Sequence, residues 1–353
     1  MVRWLLVIIL IVTGCQRDPA GEDLIEYYRG LGLLQEDTLR PVHLENSYSD
    51  LPNGLGSDLV LGIDSDYESR VLIKFFIPDT GYGDIDSLRL VLVVDDDLKN
   101  EKVDFEIRLI TTDWDEAEVR WLAASDGMKW GTPGGDYGDS ILYSGSIEKD
   151  SIIVDIDPNL FTKVKDLFGF ILLPKSGGPL AFAAGKARLY LVSNGEQTTF
   201  NLIGDSFIIK CLHYPEEGEY FLGSGFTFRN YLRFPIDSTY QEFWLARADL
   251  RLKVLDHRSM RDSISYGLRS LKEEFWGIKT EIRGYEFTHL PIADSTFTID
   301  VLTIINYWIE HPDSNFGGFL ALYPEDSDLT RLEIDPDSLL LILYLVTSPQ
   351  RRF

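Results

Sequence analysis

Val103-Asp104-Phe105-Glu106-Ile107-Arg108-Leu109 alternates without a break, apolar at 103, 105, 107 and 109 and charged between. A period of two belongs to a strand with one face buried and one in water, the pattern of an antiparallel sheet. The same chemistry recurs on either side. Ser69–Ile77 is β-branched and aromatic and ends at Pro78, and Leu88–Val94 stops at Asp95-Asp96-Asp97. Ile152–Ile156, Phe168–Leu173 and Arg188–Val192 complete a set of short strands separated by Gly, Pro, Asp and Asn turns. Such spacing predicts an all-β sandwich. One short helix is expected at Pro158–Leu167, with Asp157 as N-cap and Pro158 in the first helical position.

Immediately after the alternating strand comes Thr112–Tyr137, TDWDEAEVRWLAASDGMKWGTPGGDY, with Trp114, Trp121 and Trp130 in seventeen positions. Tryptophan is mostly buried and its indole N–H needs an acceptor, so this density means a packed hairpin or a binding platform. Trp114 and Trp121 are expected in the hairpin core. Trp130 borders a Gly-Pro loop and is the best candidate for exposure. The loop Trp130–Tyr137 therefore supplies the candidate ligand-binding residues Trp130, Asp136 and Tyr137, with Trp121 beside them. Rings for a sugar face and a carboxylate for its hydroxyls suit a glycan. The rival expectation is a loop that only seals one end of the sandwich.

Several segments return in order. Arg70–Phe75 reappears as Arg229–Phe234, Leu88–Leu90 as Leu250–Leu252, Val154–Ile156 as Ile299–Val301, Gly169–Pro174 as Gly318–Pro324 and Leu189–Val192 as Leu343–Val346. In both copies a helix-like run follows the third match, the second being Leu302–Glu310. We expect two tandem antiparallel, jelly-roll-like β-sandwiches, residues 41–194 and 195–348, each with one short helix and each of ordinary domain size. The second copy lacks the Trp-rich stretch, so any ligand site is expected in the first.

The N-terminus reads as an export signal. Arg3 precedes an apolar run from Trp4 to Val12, too short to span a bilayer, and the run closes on Val12-Thr13-Gly14-Cys15. This ending resembles the lipobox of bacterial lipoproteins. It implies residues 1–15 as signal peptide and lipobox, lipidation of Cys15, and a membrane-held protein of the cell envelope, at the outer membrane or cell surface. Residues 16–40 read as a tether.

At the level of motifs, the first copy resembles the DNRLRE domain, a bacterial extracellular β-sandwich related to carbohydrate-binding modules. The matching residues are Ser69–Phe75, Trp114-Asp115-Glu116, Val119-Arg120-Trp121, Trp130 with Pro133–Tyr137, Val154–Ile156 and Gly169-Phe170. The resemblance implies an extracellular address and, for some members, polysaccharide binding. Characterised members of the related family bind alginate, an anion that this acidic chain would repel without a bridging cation.

Composition narrows the remaining classes. A net charge of −24 and a pI near 4.5 argue against nucleic acid and against electrostatic adhesion to anionic lipid. Adjacent Asp115 and Glu116 point to opposite faces of a strand and do not converge as an acid/base pair; a turn role is expected. The acidic runs Asp95–Asp97 and Asp64, Asp66, Glu68 have a calcium-like composition without the calcium-loop spacing, and read as solvated turns. The histidines His43, His213, His257, His289 and His311 are scattered, and neither a Gly-x-Ser-x-Gly nor a phosphate loop occurs. No metal, no cofactor and no enzyme activity are expected. With Cys15 lipidated, Cys211 has no disulfide partner and reads as a buried thiol. Two functions remain: a module that binds a polysaccharide or cell-surface glycan, and a structural or assembly lipoprotein that packs against protein partners.

Overall fold

The alternating strand at Val103 is buried between two others, and its odd-numbered side chains enter the core of an antiparallel sandwich. The computed structural model describes residues 21–79, 81–148, 150–291 and 295–347, with backbone alone for 289–291. Cys15 and the rest of residues 1–15, expected above to be a signal peptide and lipobox, lie outside these residues.

The chain opens with helix α1 (Glu22–Gly30) and strands β1 (Leu34–Leu39) and β2 (His43–Ser49). The first sandwich contains β3 (Asp58–Ile63), β4 (Tyr67–Phe76), β5 (Ile85–Leu92), β6 (Val103–Ile110), the short pair β7 (Ala123–Ser125) and β8 (Met128–Lys129), β9 (Tyr137–Ile147), β10 (Ile152–Ile156), helix α2 (Phe161–Asp166), β11 (Phe170–Ala183), β12 (Arg188–Ser193) and β13 (Glu196–Cys211). The second contains β14 (Phe221–Ser224), β15 (Thr227–Arg233), β16 (Phe243–Ser259), β17 (Ser263–Leu271), β18 (Ile282–Pro291), β19 (Thr296–Asp300), helix α3 (Leu302–Glu310), β20 (Gly318–Tyr323) and β21 (Thr330–Thr347). Ahead of α2, a 3-10 turn at Pro158–Leu160 begins where expected, with the Asp157 carboxylate accepting from the Asn159 N–H.

The strand orders run in parallel. The first is β10-β5-β12-β13-β4-β3-β11-β6-β9, and the second is β19-β16-β21-β14-β15-β20-β17-β18 with β1 on β21 and β2 on β15. Arg70 and Arg229 occupy like strands: Leu72 pairs with Ile171, and Tyr231 with Phe319. Arg108 and Arg269 are a second equivalent pair, opposite Ile171 and Phe319.

Register corrects three of the sequence matches. Gly169 corresponds to Gly317, not Gly318. Both take positive φ, and a Cβ on either would fall within 2.5 Å of the carbonyl oxygen of Ile73 or Leu232. Leu90, rather than Leu88, corresponds to Leu250, because these residues face Val154 and Ile299 on one side and Leu189 and Leu341 on the other. The Leu189 match therefore moves from Leu343 to Leu341. The last two errors are of two residues, which leaves every side chain on its face and is invisible to an apolar pattern.

The expected boundaries 41–194 and 195–348 are also corrected. β13 continues the first sandwich, pairing with β12 through Phe200 and with β4 from Asn201 to Cys211. Among the described residues, the second copy carries no such strand after β21. Its place is taken from the N-terminus: β1 pairs with β21 from Leu34 to Leu39, and β2 pairs with β15 from His43 to Ser49. From Gly21 on, the tether reading is thus overturned. Ile25 of α1 is buried against Ala246, Ile342, Tyr344 and Val346, with Leu33 and Leu34 packed beside it.

The two sandwiches share a joint. Phe221, Phe226, Phe228, Met260 and Leu329 of the second belong to the core of the first. Arg331 bonds Asp66 at 2.9 Å, Arg258 pairs with Asp64 and Asp66, and Arg261 bridges Asp58 at 2.8 Å to Asp328. Burial pushes the Asp58 carboxyl up to about 6, and neighbouring Asp95 adds to this, against the pull of Ser57 and Arg261. The folded protein therefore holds this proton more tightly than the unfolded chain, where Asp titrates near ~4. Its contribution is complete below that value and is lost as pH rises through about 6. Thermal melts between pH 4 and 7.5 should show stability falling over this window, and Asp58→Asn should flatten the fall.

Candidate functional site

Thr112–Tyr137 leaves the end of β6 and folds back over the outer face of the first sandwich. Trp114, Trp121 and Trp130 are 5%, 7% and 5% exposed, packed on Leu72, Ile110, Ile171, Leu173 and Ile208. The indole N–H of Trp114 donates to the Phe168 carbonyl at 3.0 Å, and that of Trp130 to the Arg120 carbonyl at 2.9 Å. The expected exposure of Trp130 is corrected. An edge beside a turn offered the ring an acceptor within the hairpin, so burial satisfied its one polar atom at no loss.

Asp136 is engaged within the same loop. Its carboxylate accepts from the Thr112 hydroxyl at 2.8 Å and from the N–H groups of Gly131 and Thr132 at 2.9 and 2.7 Å. Burial works against its charged form, but these donors outweigh it and hold the carboxyl below its ordinary range. Tyr137 is half-buried beneath the Arg108 guanidinium, 5.5 Å from the ring centre. Asp115 accepts from the Ala117 N–H, a turn bond, while Glu116 reaches away to the Asp205 N–H.

Trp121 has a different setting. The Arg70 guanidinium stacks over its ring at 4.6 Å and bonds Glu68 and the Gly134 carbonyl. Gly134 takes φ +90°, and a Cβ there would lie 2.6 Å from the guanidinium and 2.8 Å from the indole. The Pro133-Gly134-Gly135 turn can thus close on the stack only because it carries no side chains there.

This stack forms one wall of a groove of about 740 Å³ between the Trp hairpin and the N-terminal strand of the second sandwich. Leu122 and Pro133 extend that wall; Tyr48 from β2 and Tyr214, just past β13, form the other. The two tyrosine rings lie 5.1 Å apart, 45% and 46% exposed, on a bed of Phe226 and Phe228. Four charged residues line the groove, Asp50 and Glu68 against Lys210 and Arg70, so it is balanced in a chain that is otherwise strongly acidic. Of the four candidate residues, the structure brings Trp121 to this groove and keeps Trp130, Asp136 and Tyr137 in the hairpin. Tyr48 and Tyr214 were missed, since β2 reaches the groove only through its pairing with β15.

A second set of rings lies on the outer face of the second sandwich. Phe287 is within 5.1 Å of Tyr285 and stacks on Tyr323 at 4.9 Å, over Gly267 and Ala321, with Arg269 above it. Elsewhere, Asp64 binds the Asp66 and Tyr67 N–H groups, Asp95 binds the Asp97 N–H, and burial pushes the Cys211 thiol up to about 11. Among the described residues, no group of three or more His, Cys, Asp or Glu is placed to hold a metal ion, and no helix is long and apolar enough to cross a membrane.

A scan against family models found no match, and a search of curated proteins found none. Among solved structures, the chain is similar to one titled BspA_C_mut at 10% identity and a TM-score of 0.20, over 86% of this chain and 90% of that one. It is similar to the C-terminal domain of the Streptococcus pyogenes antigen I/II-family protein AspA at 10% identity and a TM-score of 0.19, over 89% and 91%. At these scores neither likeness carries an argument.

Proposed function

We propose that this is a lipid-anchored protein of the bacterial cell envelope that binds a neutral polysaccharide or cell-surface glycan, without catalysis, in the groove between the Trp hairpin and β2. The groove itself carries the reading: two exposed tyrosine rings face a Trp–Arg stack and a leucine across a charge-balanced trough. Pyranose C–H faces stack on such rings, and a few fixed polar groups orient the hydroxyls. Arg70 is held by Glu68, which disfavours an anionic ligand as the overall acidity does. The motif resemblance to the DNRLRE domain supports an extracellular address and a polysaccharide ligand, and the lipobox-like ending at Cys15 supports the address.

The test is a glycan array probed with the chain lacking residues 1–15. Wild type should retain neutral glycans. Tyr48→Ala with Tyr214→Ala should reduce binding at least about tenfold, the worth of roughly 1–2 kcal/mol of lost stacking, with little change in melting temperature. Binding that survives both substitutions would move the site elsewhere. The alternative, a structural or assembly lipoprotein that packs against a protein partner, draws on the Tyr285–Phe287–Tyr323 row. It predicts no glycan retained and complex formation sensitive to Tyr285→Ala.

A further inference from the structure

The rim of α1 carries rings that the sandwich leaves uncovered. Tyr27 and Leu31 are 60% and 53% exposed, and Trp244 of β16 is 47% exposed. The Tyr28 ring joins them, edge-on to Tyr27 at 5.5 Å and to Trp244 at 5.8 Å. This cluster lies on the outer face of β16, β21 and β1, where Trp244 pairs with Val346 and Val346 with Leu34.

We propose that Tyr27, Tyr28, Leu31 and Trp244 rest in the headgroup layer of a zwitterionic membrane and orient the anchored protein on it. The inference rests on the lipid anchor of the preceding section, because that anchor fixes what the patch meets. Five residues, six Cα steps, separate Cys15 from Gly21, a reach of at most about 20 Å, so α1 cannot leave the neighbourhood of the bilayer surface. Tyrosine and tryptophan, apolar rings with one polar tip, settle at that depth. The helix bears Glu22, Asp23 and Glu26 against Arg29, which selects an uncharged surface over an anionic one. Orientation has a use. From Leu34 to Tyr48 the chain runs fourteen residues of mostly extended strand, up to about 45 Å, so seating the α1 end on lipid carries the groove outward.

The test uses a chain beginning at Cys15, coupled through that thiol to a maleimide lipid in phosphatidylcholine vesicles doped with dibrominated phosphatidylcholine. Cys211 is 6% exposed and should not compete. Of the tryptophans in this chain, Trp114, Trp121, Trp130 and Trp308 are buried, leaving Trp244 and Trp276 to report. Bromolipid should quench part of the emission; Trp244→Phe should remove most of that quenching and Trp276→Phe should not. Equal quenching in wild type and Trp244→Phe, or none in wild type, would overturn the proposal. Because the coupling is chemical, failure of the anchor reading shows separately, as an unmodified mass for Cys15 in protein recovered from cells.

Discussion

A chain that begins at Asp50 should lose its second sandwich while keeping the first. The truncation removes β1 and β2, and with them the backbone partners of Leu341–Val346 and of Thr227–Arg233. Stripping a strand from a sheet interior leaves rows of N–H and C=O groups beside an opened core, a loss that marginal stability does not absorb. Hydrogen exchange should show β15, β16 and β21 unprotected, with β4, β6 and β11 still protected, though less than in wild type because Phe221, Phe226 and Phe228 no longer close the first core. The same structure says how to repair it. Leu34 pairs with Val346, and the Thr347 N–H donates to the Leu33 carbonyl, so β21 and β1 lie as the arms of a hairpin without its turn. The first sandwich has that turn at Ser193-Asn194-Gly195-Glu196, joining β12 to β13. A permuted chain starting at Asp50, with Thr347 joined to Leu33 through Asn-Gly and ending after Ser49, should recover cooperative folding. A permutant that stays unfolded would mean that the N-terminal segment does more than supply these strands.

Replacing Trp130 by alanine should cost about 3–5 kcal/mol, on the order of 10 °C in melting temperature. Its ring is buried in the hairpin core with Trp114 and Trp121, and its loss leaves the Arg120 carbonyl with the Ala123 N–H alone. Differential scanning calorimetry measures this directly. Glycan binding by the variant below its midpoint should match wild type, since the groove is walled by Trp121 and the two tyrosines. A stable variant that no longer binds would restore Trp130 to the site.

Apolar and alternating runs made six strands of the first sandwich legible, because alternation at Val103–Leu109 reports which face is dry, while β3 and β9 went unread. Repetition made the tandem arrangement legible for a related reason: equivalent strands bury equivalent faces. Partners were not legible. β1 reads Leu-Gln-Glu-Asp-Thr-Leu, and its polar side chains gave no sign that its backbone completes a sheet some 300 residues away. Pairing runs through groups that every residue carries, so composition is silent on it. The same blindness placed the domain joint at Asn194, where the first copy makes only an internal hairpin. At the site, dense tryptophan correctly marked a structured hairpin. What it left open was whether each indole had an acceptor inside, and for Trp114 and Trp130 it did. Tyr48 and Tyr214 stand in segments without periodicity and meet only after β2 and β15 pair.

The most direct test is a hydrogen-exchange footprint of the chain lacking residues 1–15, with and without a neutral glycan retained on the array. The groove reading predicts slowed exchange confined to the end of β2, the turn at Trp121–Gly135 and the segment Lys210–Tyr214. Slowed exchange on the Tyr285–Tyr323 face instead, or none at saturating glycan, would contradict it.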